Sequence, residues 1–94
     1  MVKIGKYNYH KSTRKDKKLM TVFEKDGKVK IVHFGSSVNQ HYKDKTGIWK
    51  SLDHKDKKRR QNYLLRSAAI KDGKGNLTMN NPLSGNFHAR RILW

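Results

Sequence analysis

The strongest constraint on the fold is a hairpin pattern in the first half of the chain. Two segments of strand-like composition, 19–24 and 28–34, flank Lys25-Asp26-Gly27. An Asp-Gly pair in this position favours a two-residue turn, because both turn residues must adopt positive φ. In the second segment, side chains at alternating positions form one face suited to packing and one of mixed character. The sequence therefore predicts an antiparallel hairpin over 19–34.

The other segments complete a single α+β domain over residues 1–94. Residues 2–9 alternate in the period of two that is typical of a strand. The further predicted elements are a basic loop at 10–18, a helix at about 54–70, a loop at 71–86 and an apolar C-terminal segment at 87–94. We expect a small antiparallel β-sheet built on the hairpin and packed against this one main α-helix and the short C-terminal segment.

The predicted helix has a charged first half and apolar side chains only in its second half. Asp53 or Ser51 can cap its N-terminus, and Asp56 places negative charge in its first turn. Asp53 and Asp56 can also pair with Arg59 or Arg60 at helical spacing. We expect the second half to pack on the protein and the first half to project into solvent or onto a ligand.

Net charge points to the class of partner. The chain has 23 Lys and Arg against 7 Asp and Glu, a formal charge of +16. A compact domain with this charge repels itself, so a polyanion that neutralises it should stabilise the fold. Nucleic acid is the most common cellular polyanion. An anionic membrane would require a basic amphipathic helix with a continuous apolar face, which the sequence lacks, so we expect no membrane partner.

The basic residues predict phosphate contacts rather than base recognition. No helix-turn-helix, zinc-finger or RNA-reader signature is present, so we expect binding that is independent of sequence, with double-stranded DNA as the main ligand. Compaction requires bridging, which predicts either a homodimer or two basic faces on one monomer. The predicted phosphate contacts are Arg14, Lys15, Lys17, Lys18, Lys55, Lys57, Lys58, Arg59, Arg60, Arg66, Arg90 and Arg91.

The sequence predicts neither an enzyme nor a metal protein. It contains no cysteine, and its five histidines do not follow a metal-ligand spacing. His54 between Asp53 and Asp56, and Asp44 after His41, are weak signals for a metal-dependent nuclease, which needs clustered carboxylates. We therefore expect no catalytic residues, no cofactor and no small-molecule substrate. The short apolar runs also predict no transmembrane segment and no signal peptide.

Several motifs resemble a small family of uncharacterised proteins from large DNA viruses of protists and algae. They include His33-Phe34-Gly35, Tyr42-Lys43-Asp44 with Thr46, Asp53-His54-Lys55-Asp56 with Arg59-Arg60, Tyr63 with Arg66, and the closing Arg90-Arg91-Ile92-Leu93-Trp94. The resemblance covers most of the chain. It implies a viral protein, located in the virion and, during infection, in the host nucleus or a cytoplasmic viral factory.

Charge and resemblance together lead to one functional expectation and two alternatives. We expect the protein to bind viral double-stranded DNA independently of sequence and to help compact and package it. The first alternative is a basic structural protein of the virion that docks on an acidic capsid or core protein. The second is an RNA-binding protein.

Overall fold

Four antiparallel strands and two α-helices make up the domain, which confirms the predicted α+β fold. The structure, a computed structural model, describes residues 2–94. The strands follow the chain in the order β1-β2-β3-β4, each paired with the next. The elements are β1 (Val2–Ile4), β2 (Tyr7–Lys11), β3 (Lys17–Lys25), β4 (Lys28–Ser36), α1 (Lys57–Ala68) and α2 (Gly85–Ile92).

The hairpin predicted over 19–34 is present as β3 and β4. Asp26 and Gly27 form its turn with φ of 54° and 76°, the positive values that the Asp-Gly pair favours. Lys25 pairs with Lys28 next to the turn, and Leu19 pairs with Phe34 further along. The strands extend to Lys17 and Ser36, so the hairpin is two residues longer at each end than the sequence predicted.

The segment predicted as one strand over 2–9 is instead a second hairpin. Its strands β1 and β2 are antiparallel, and Ile4 pairs with Tyr7. Gly5 supplies the positive φ of 61° at the turn. The prediction was wrong because it took 2–9 as one alternating run, whereas the core-facing side chains shift from Val2 and Ile4 to Tyr7 and Tyr9 across the two-residue turn at Gly5-Lys6. Because β2 continues to Lys11, the basic loop predicted at 10–18 is reduced to 12–16.

One face of the sheet carries the core, and α2 packs on it. The buried side chains of the core include equal numbers of aromatic and aliphatic residues. The buried cluster consists of Tyr7, Tyr9, Leu19, Phe34, Phe87, Ala89, Ile92 and Leu93. His88 of α2 is also fully buried: it accepts a hydrogen bond from the Tyr9 hydroxyl at Nδ1 (2.8 Å) and donates one from Nε2 to the Pro82 carbonyl (2.7 Å). Burial lowers the His88 pKa, so the ring is neutral.

The two helices differ in how they join the sheet. α2 packs directly against β4, whereas α1 packs against α2 and a 3-10 turn at Thr78–Asn80. This turn and the first residues of α2 lie within the segment predicted as a loop at 71–86. The C-terminal segment predicted at 87–94 is mostly α2, and it docks on the sheet as expected. Neither helix in residues 2–94 has the length and apolar character needed to cross a bilayer.

The start of α1 corrects the predicted cap. Asp56, not Asp53 or Ser51, is the N-cap residue, and its carboxylate accepts the backbone N–H groups of Lys58 and Arg59. α1 therefore occupies Lys57–Ala68 within the predicted range of about 54–70. Its apolar half is less buried than expected, since Leu65 remains 68% exposed.

Candidate nucleic-acid interface

The predicted phosphate contacts fall into three structural groups. One residue, Lys18, is buried, and two, Lys17 and Arg90, are half-buried. The remaining nine have exposed side chains, as a phosphate contact requires. They are Arg14, Lys15, Lys55, Lys57, Lys58, Arg59, Arg60, Arg66 and Arg91. Exposure alone does not make each of them free, because some guanidinium groups are already bonded within the fold.

Lys18 is the clearest correction to the predicted set. Its side chain is only 1% exposed, and its ammonium group donates to the Asn39 carbonyl. Burial lowers its pKa to about 8, although the nearby carboxylates of Asp44 and Asp53 act in the opposite direction. The amine is therefore part of the protein interior. The sequence did not show that Lys18 is buried, because Lys18 belongs to a run of basic residues that predicts a solvent-exposed loop.

The guanidinium groups of Arg90 and Arg60 already donate hydrogen bonds within the fold. Nη1 of Arg90 donates to the Leu64 carbonyl and to the Ser67 hydroxyl, both at 2.6 Å, and so joins α2 to α1. Nε of Arg60 donates to the Trp94 carbonyl at 2.6 Å, and its guanidinium lies 5.2 Å from the centre of the Tyr42 ring. Arg90 is thus a tie between helices, and Arg60 is a tie between α1 and the C-terminal segment.

The exposed cations of α1 do not form one surface. At about 100° per residue, Arg59 and Arg66 lie on the same side of the helix, because seven residues are close to two full turns. Lys57 lies roughly 160° away from Arg59, and Lys58 roughly 100° away. We call Lys57 and Lys58 the outer lysines. α1 therefore presents cations on more than one side.

A cleft opens on the Arg59–Arg66 side of α1. Its volume is about 530 Å³, and it separates α1 from the end of β4 and the residues that follow that strand. Lys17 and His33 lie on the sheet wall, and Arg59 and Arg66 lie on the helix wall. Ala89 of α2 and Leu93, which follows that helix, also line the space. No Asp or Glu is among the residues that line it, so the cations face each other without a compensating carboxylate.

Aromatic side chains support the helix wall of the cleft. Tyr63 and Trp94 stack with their ring centres 4.1 Å apart and their planes 10° apart. The His54 ring lies 5.2 Å from Trp94, and the Arg66 guanidinium lies 5.8 Å from Tyr63. Sequence reasoning did not place His33, Tyr63 or Trp94 at a basic site. The spacing of seven between Arg59 and Arg66 was the one available sign that these two arginines share a helix face.

The carboxylates that could neutralise the basic surface are used within the fold. Asp53 accepts from Nε2 of His41 (2.6 Å) and from the Asp44 N–H (2.8 Å), so the predicted pairing of Asp53 with Arg59 or Arg60 is wrong. Asp56 caps α1 and likewise forms no ion pair with either arginine. Across residues 2–94, Arg14 with Asp16 (3.1 Å) is the one ion pair between a Lys or Arg and a carboxylate.

The residues that suggested a metal site serve to order the loop between β4 and α1. Asp44 accepts from the backbone N–H groups of Thr46 (2.8 Å) and Trp49 (2.7 Å), and Asp53 holds His41. Burial, with the charge of Lys18, lowers the His41 pKa, while Asp53 and Asp44 oppose that shift. Within residues 2–94, no three His, Cys, Asp or Glu side chains are grouped so that they could hold a metal ion.

Comparison with known protein families identifies a match over most of the chain. Residues 7–67 match a family of unknown function (DUF5754). This range includes the whole of β2, β3 and β4 and most of α1, together with the cleft wall that the sheet provides. No curated protein and no solved structure matches the chain.

Proposed function

The chain belongs to the family of unknown function DUF5754, and we propose that it binds nucleic acid through the phosphate backbone, independently of sequence. Double-stranded DNA is the proposed main ligand, and compaction of that DNA is the proposed outcome. In the viral context implied by the sequence resemblance, this activity would serve genome packaging. The observation that carries the proposal is the uncompensated positive charge around α1.

The charge is uncompensated because the acids are few and most of them are engaged elsewhere. The chain has 23 Lys and Arg, yet one of them, Arg14, forms an ion pair with a carboxylate within residues 2–94. Asp44, Asp53, Asp56 and Asp72 accept hydrogen bonds from backbone N–H groups. A surface with this imbalance attracts polyanions, and each phosphate neutralised by a Lys or Arg releases counterions.

The placement of these cations supports bridging by a monomer. The outer lysines lie on α1, and further exposed cations lie outside that helix. Arg14 and Lys15 add positive charge on the loop between β2 and β3, although Arg14 is partly neutralised by Asp16. A monomer with basic groups on more than one side can contact two DNA segments at once, which is the requirement for compaction.

The test is a salt series with random-sequence duplex DNA, followed by fluorescence anisotropy. We expect log Kd to depend steeply on log salt, with a slope of about 5 or more, corresponding to about six phosphates at ~0.9 each. The double variant Lys57→Gln/Lys58→Gln should reduce this slope by about 2, since two contacts are lost.

A matched control separates this surface from net charge alone. Lys25→Gln/Lys28→Gln removes the same charge at the tip of the β3–β4 hairpin, roughly 20 Å along the strand from the cleft end. It should leave the slope nearly unchanged. A shallow slope for the natural protein, or equal losses in both double variants, would contradict the proposal.

The open face of the sheet favours a second candidate function, docking on an acidic protein. Val29 and Ile31 are 68% and 57% exposed on the face opposite the core. Val22, which pairs with Ile31, is half-buried on the same face. Exposed apolar side chains on a positively charged protein favour docking of an acidic protein that has an apolar patch. This function predicts weak DNA binding near 0.15 M salt, so the same salt series distinguishes the two candidates.

A further inference from the structure

The cleft between α1 and the end of β4 differs from the rest of the basic surface in being concave. Its walls come from separate parts of the chain: Lys17 and His33 from the hairpin, and Arg59 and Arg66 from α1. The buried β4–α2 contact sets the position of one wall, and the Arg90 tie sets the position of the other. The spacing between these cations is therefore a property of the folded core and not of mobile side chains on an open surface.

The arginines of the cleft lack a strong acceptor. Nη1 of Arg59 donates to the neutral amide oxygen of Gln40 across the cleft at 3.1 Å. The Arg66 guanidinium lies over Tyr63, and no carboxylate of residues 2–94 pairs with it. A phosphate oxygen is a better acceptor for a guanidinium than an amide oxygen, because both partners are then charged and two parallel hydrogen bonds can form. The cleft is thus suited to a phosphate group.

The size of the cleft limits whether single-stranded or duplex nucleic acid can enter it. A volume of about 530 Å³ lies within the range of small-molecule pockets, so the cleft can hold about one nucleotide. A space that holds about one nucleotide cannot admit a duplex, in which two paired strands would have to enter together. Tyr63 and Trp94 add aromatic surface beside the arginines. A positive groove with aromatic side chains is the arrangement by which proteins bind single strands.

We propose that the cleft receives one strand of a nucleic acid, with a phosphate held between the arginine wall and Lys17, and that it excludes the duplex. This inference rests on the proposed nucleic-acid binding and assigns different forms of nucleic acid to the outer lysines and to the cleft. The outer lysines contact the backbone of either form, because an exposed lysine makes no geometric demand on its phosphate. The cleft contacts only a strand that is unpaired, frayed or at an end.

The experiment compares two probes, oligo-dT of 20 nucleotides and a random-sequence duplex of 20 base pairs, at 0.15 M salt. Arg59→Gln/Arg66→Gln should weaken oligo-dT binding by about tenfold for each arginine, as expected for a charged hydrogen bond. It should weaken duplex binding by much less. Lys57→Gln/Lys58→Gln should weaken both probes by similar factors. The hairpin-tip variant Lys25→Gln/Lys28→Gln should have little effect on either.

A second variant tests the opposite wall without changing α1. Lys17→Gln should weaken oligo-dT binding selectively, as the double arginine variant does. Circular dichroism melting should show that each variant stays folded, since the side chains of Arg59 and Arg66 are exposed and that of Lys17 is only half-buried.

The outcomes separate this inference from the function on which it rests. If the natural protein binds neither probe, both the proposed function and the cleft inference are wrong. If it binds both probes and the arginine variant leaves the ratio of the two Kd values unchanged, only the cleft inference is wrong. A selective loss of oligo-dT binding in the arginine and Lys17 variants supports it.

Discussion

Arg90 offers a sharp test of how the helices are held together. Arg90→Met keeps the aliphatic stem but removes two hydrogen bonds from a charged donor, to the Leu64 carbonyl and the Ser67 hydroxyl, both 2.6 Å long. Bonds of this kind contribute about 1.5–3 kcal/mol each, and these two share one nitrogen, so we expect a loss of about 2 kcal/mol in the free energy of unfolding. For a domain of this size, that loss lowers Tm by about 8–16 °C.

Arg91→Met is the matched control, because it removes the same charge from the next position. The Arg91 side chain is exposed, and its guanidinium lies 4.3 Å from the centre of the Phe87 ring. Loss of that contact should cost at most about 1 kcal/mol. Urea denaturation followed by circular dichroism measures both variants. Equal stability of Arg90→Met and the natural protein, or equal losses in the two variants, would refute the assignment of Arg90 as a tie between helices.

Three further predictions concern the buried amine, the glycines and the helix cap. Because the Lys18 pKa falls from 10.5 to about 8 on folding, the unfolded chain binds more protons between these values, so stability should rise with pH from about 8 to 10.5, by at most about 3 kcal/mol. Urea denaturation at pH 7 and 9.5 should show this rise, and Lys18→Met should remove the part of the rise that comes from the Lys18 amine. An identical rise in the variant would contradict the assignment of the rise to Lys18. Gly35→Ala should cost more stability than Gly47→Ala, although φ is nearly the same at Gly35 (77°) and Gly47 (76°). A Cβ at Gly35 would lie 2.8 Å from Leu93 Cδ1, whereas a Cβ at Gly47 would meet no atom within 4 Å. Equal Tm values for the two variants would refute this steric argument. Asp56→Ala should destabilise by about 1 kcal/mol through loss of the N-cap, with a visible loss of helical circular dichroism near Tm, and Asp56→Asn should retain most of the stability.

Local sequence chemistry was sufficient to predict the secondary structure where side chains and backbone demands agreed. The Asp26-Gly27 turn has the positive φ values that this dipeptide favours, and the strands on either side alternate as predicted. The same reasoning missed the turn at Gly5, because the composition of 2–9 is typical of a strand throughout and the shift of the core-facing side chains from even to odd positions was not used. It also misplaced the cap of α1, since Asp53 and Asp56 are equally suitable as single residues.

The choice between those two carboxylates was made by contacts distant in sequence. The backbone of Asp53 forms a β-bridge with that of His41, and the Asp53 carboxylate accepts a hydrogen bond from the His41 ring N–H at 2.6 Å. The Asp53 carboxylate is therefore not available to cap the helix. Asp56 then remains as the nearest acceptor for the first N–H groups of α1. A local pattern cannot rank two such candidates, because the interaction that decides between them involves a residue 12 positions away.

For the candidate interface, the sequence by itself determined the sign and the amount of charge, and hence the class of ligand that we propose. Tertiary structure decided which cations can reach a ligand. It buried the Lys18 side chain against the segment that follows β4, used Arg90 and Arg60 to join segments, and brought Lys17 opposite Arg59 and Arg66 across one cleft. The physical reason is that charge is a sum over residues, which composition fixes, whereas access and spacing depend on which segments pack together.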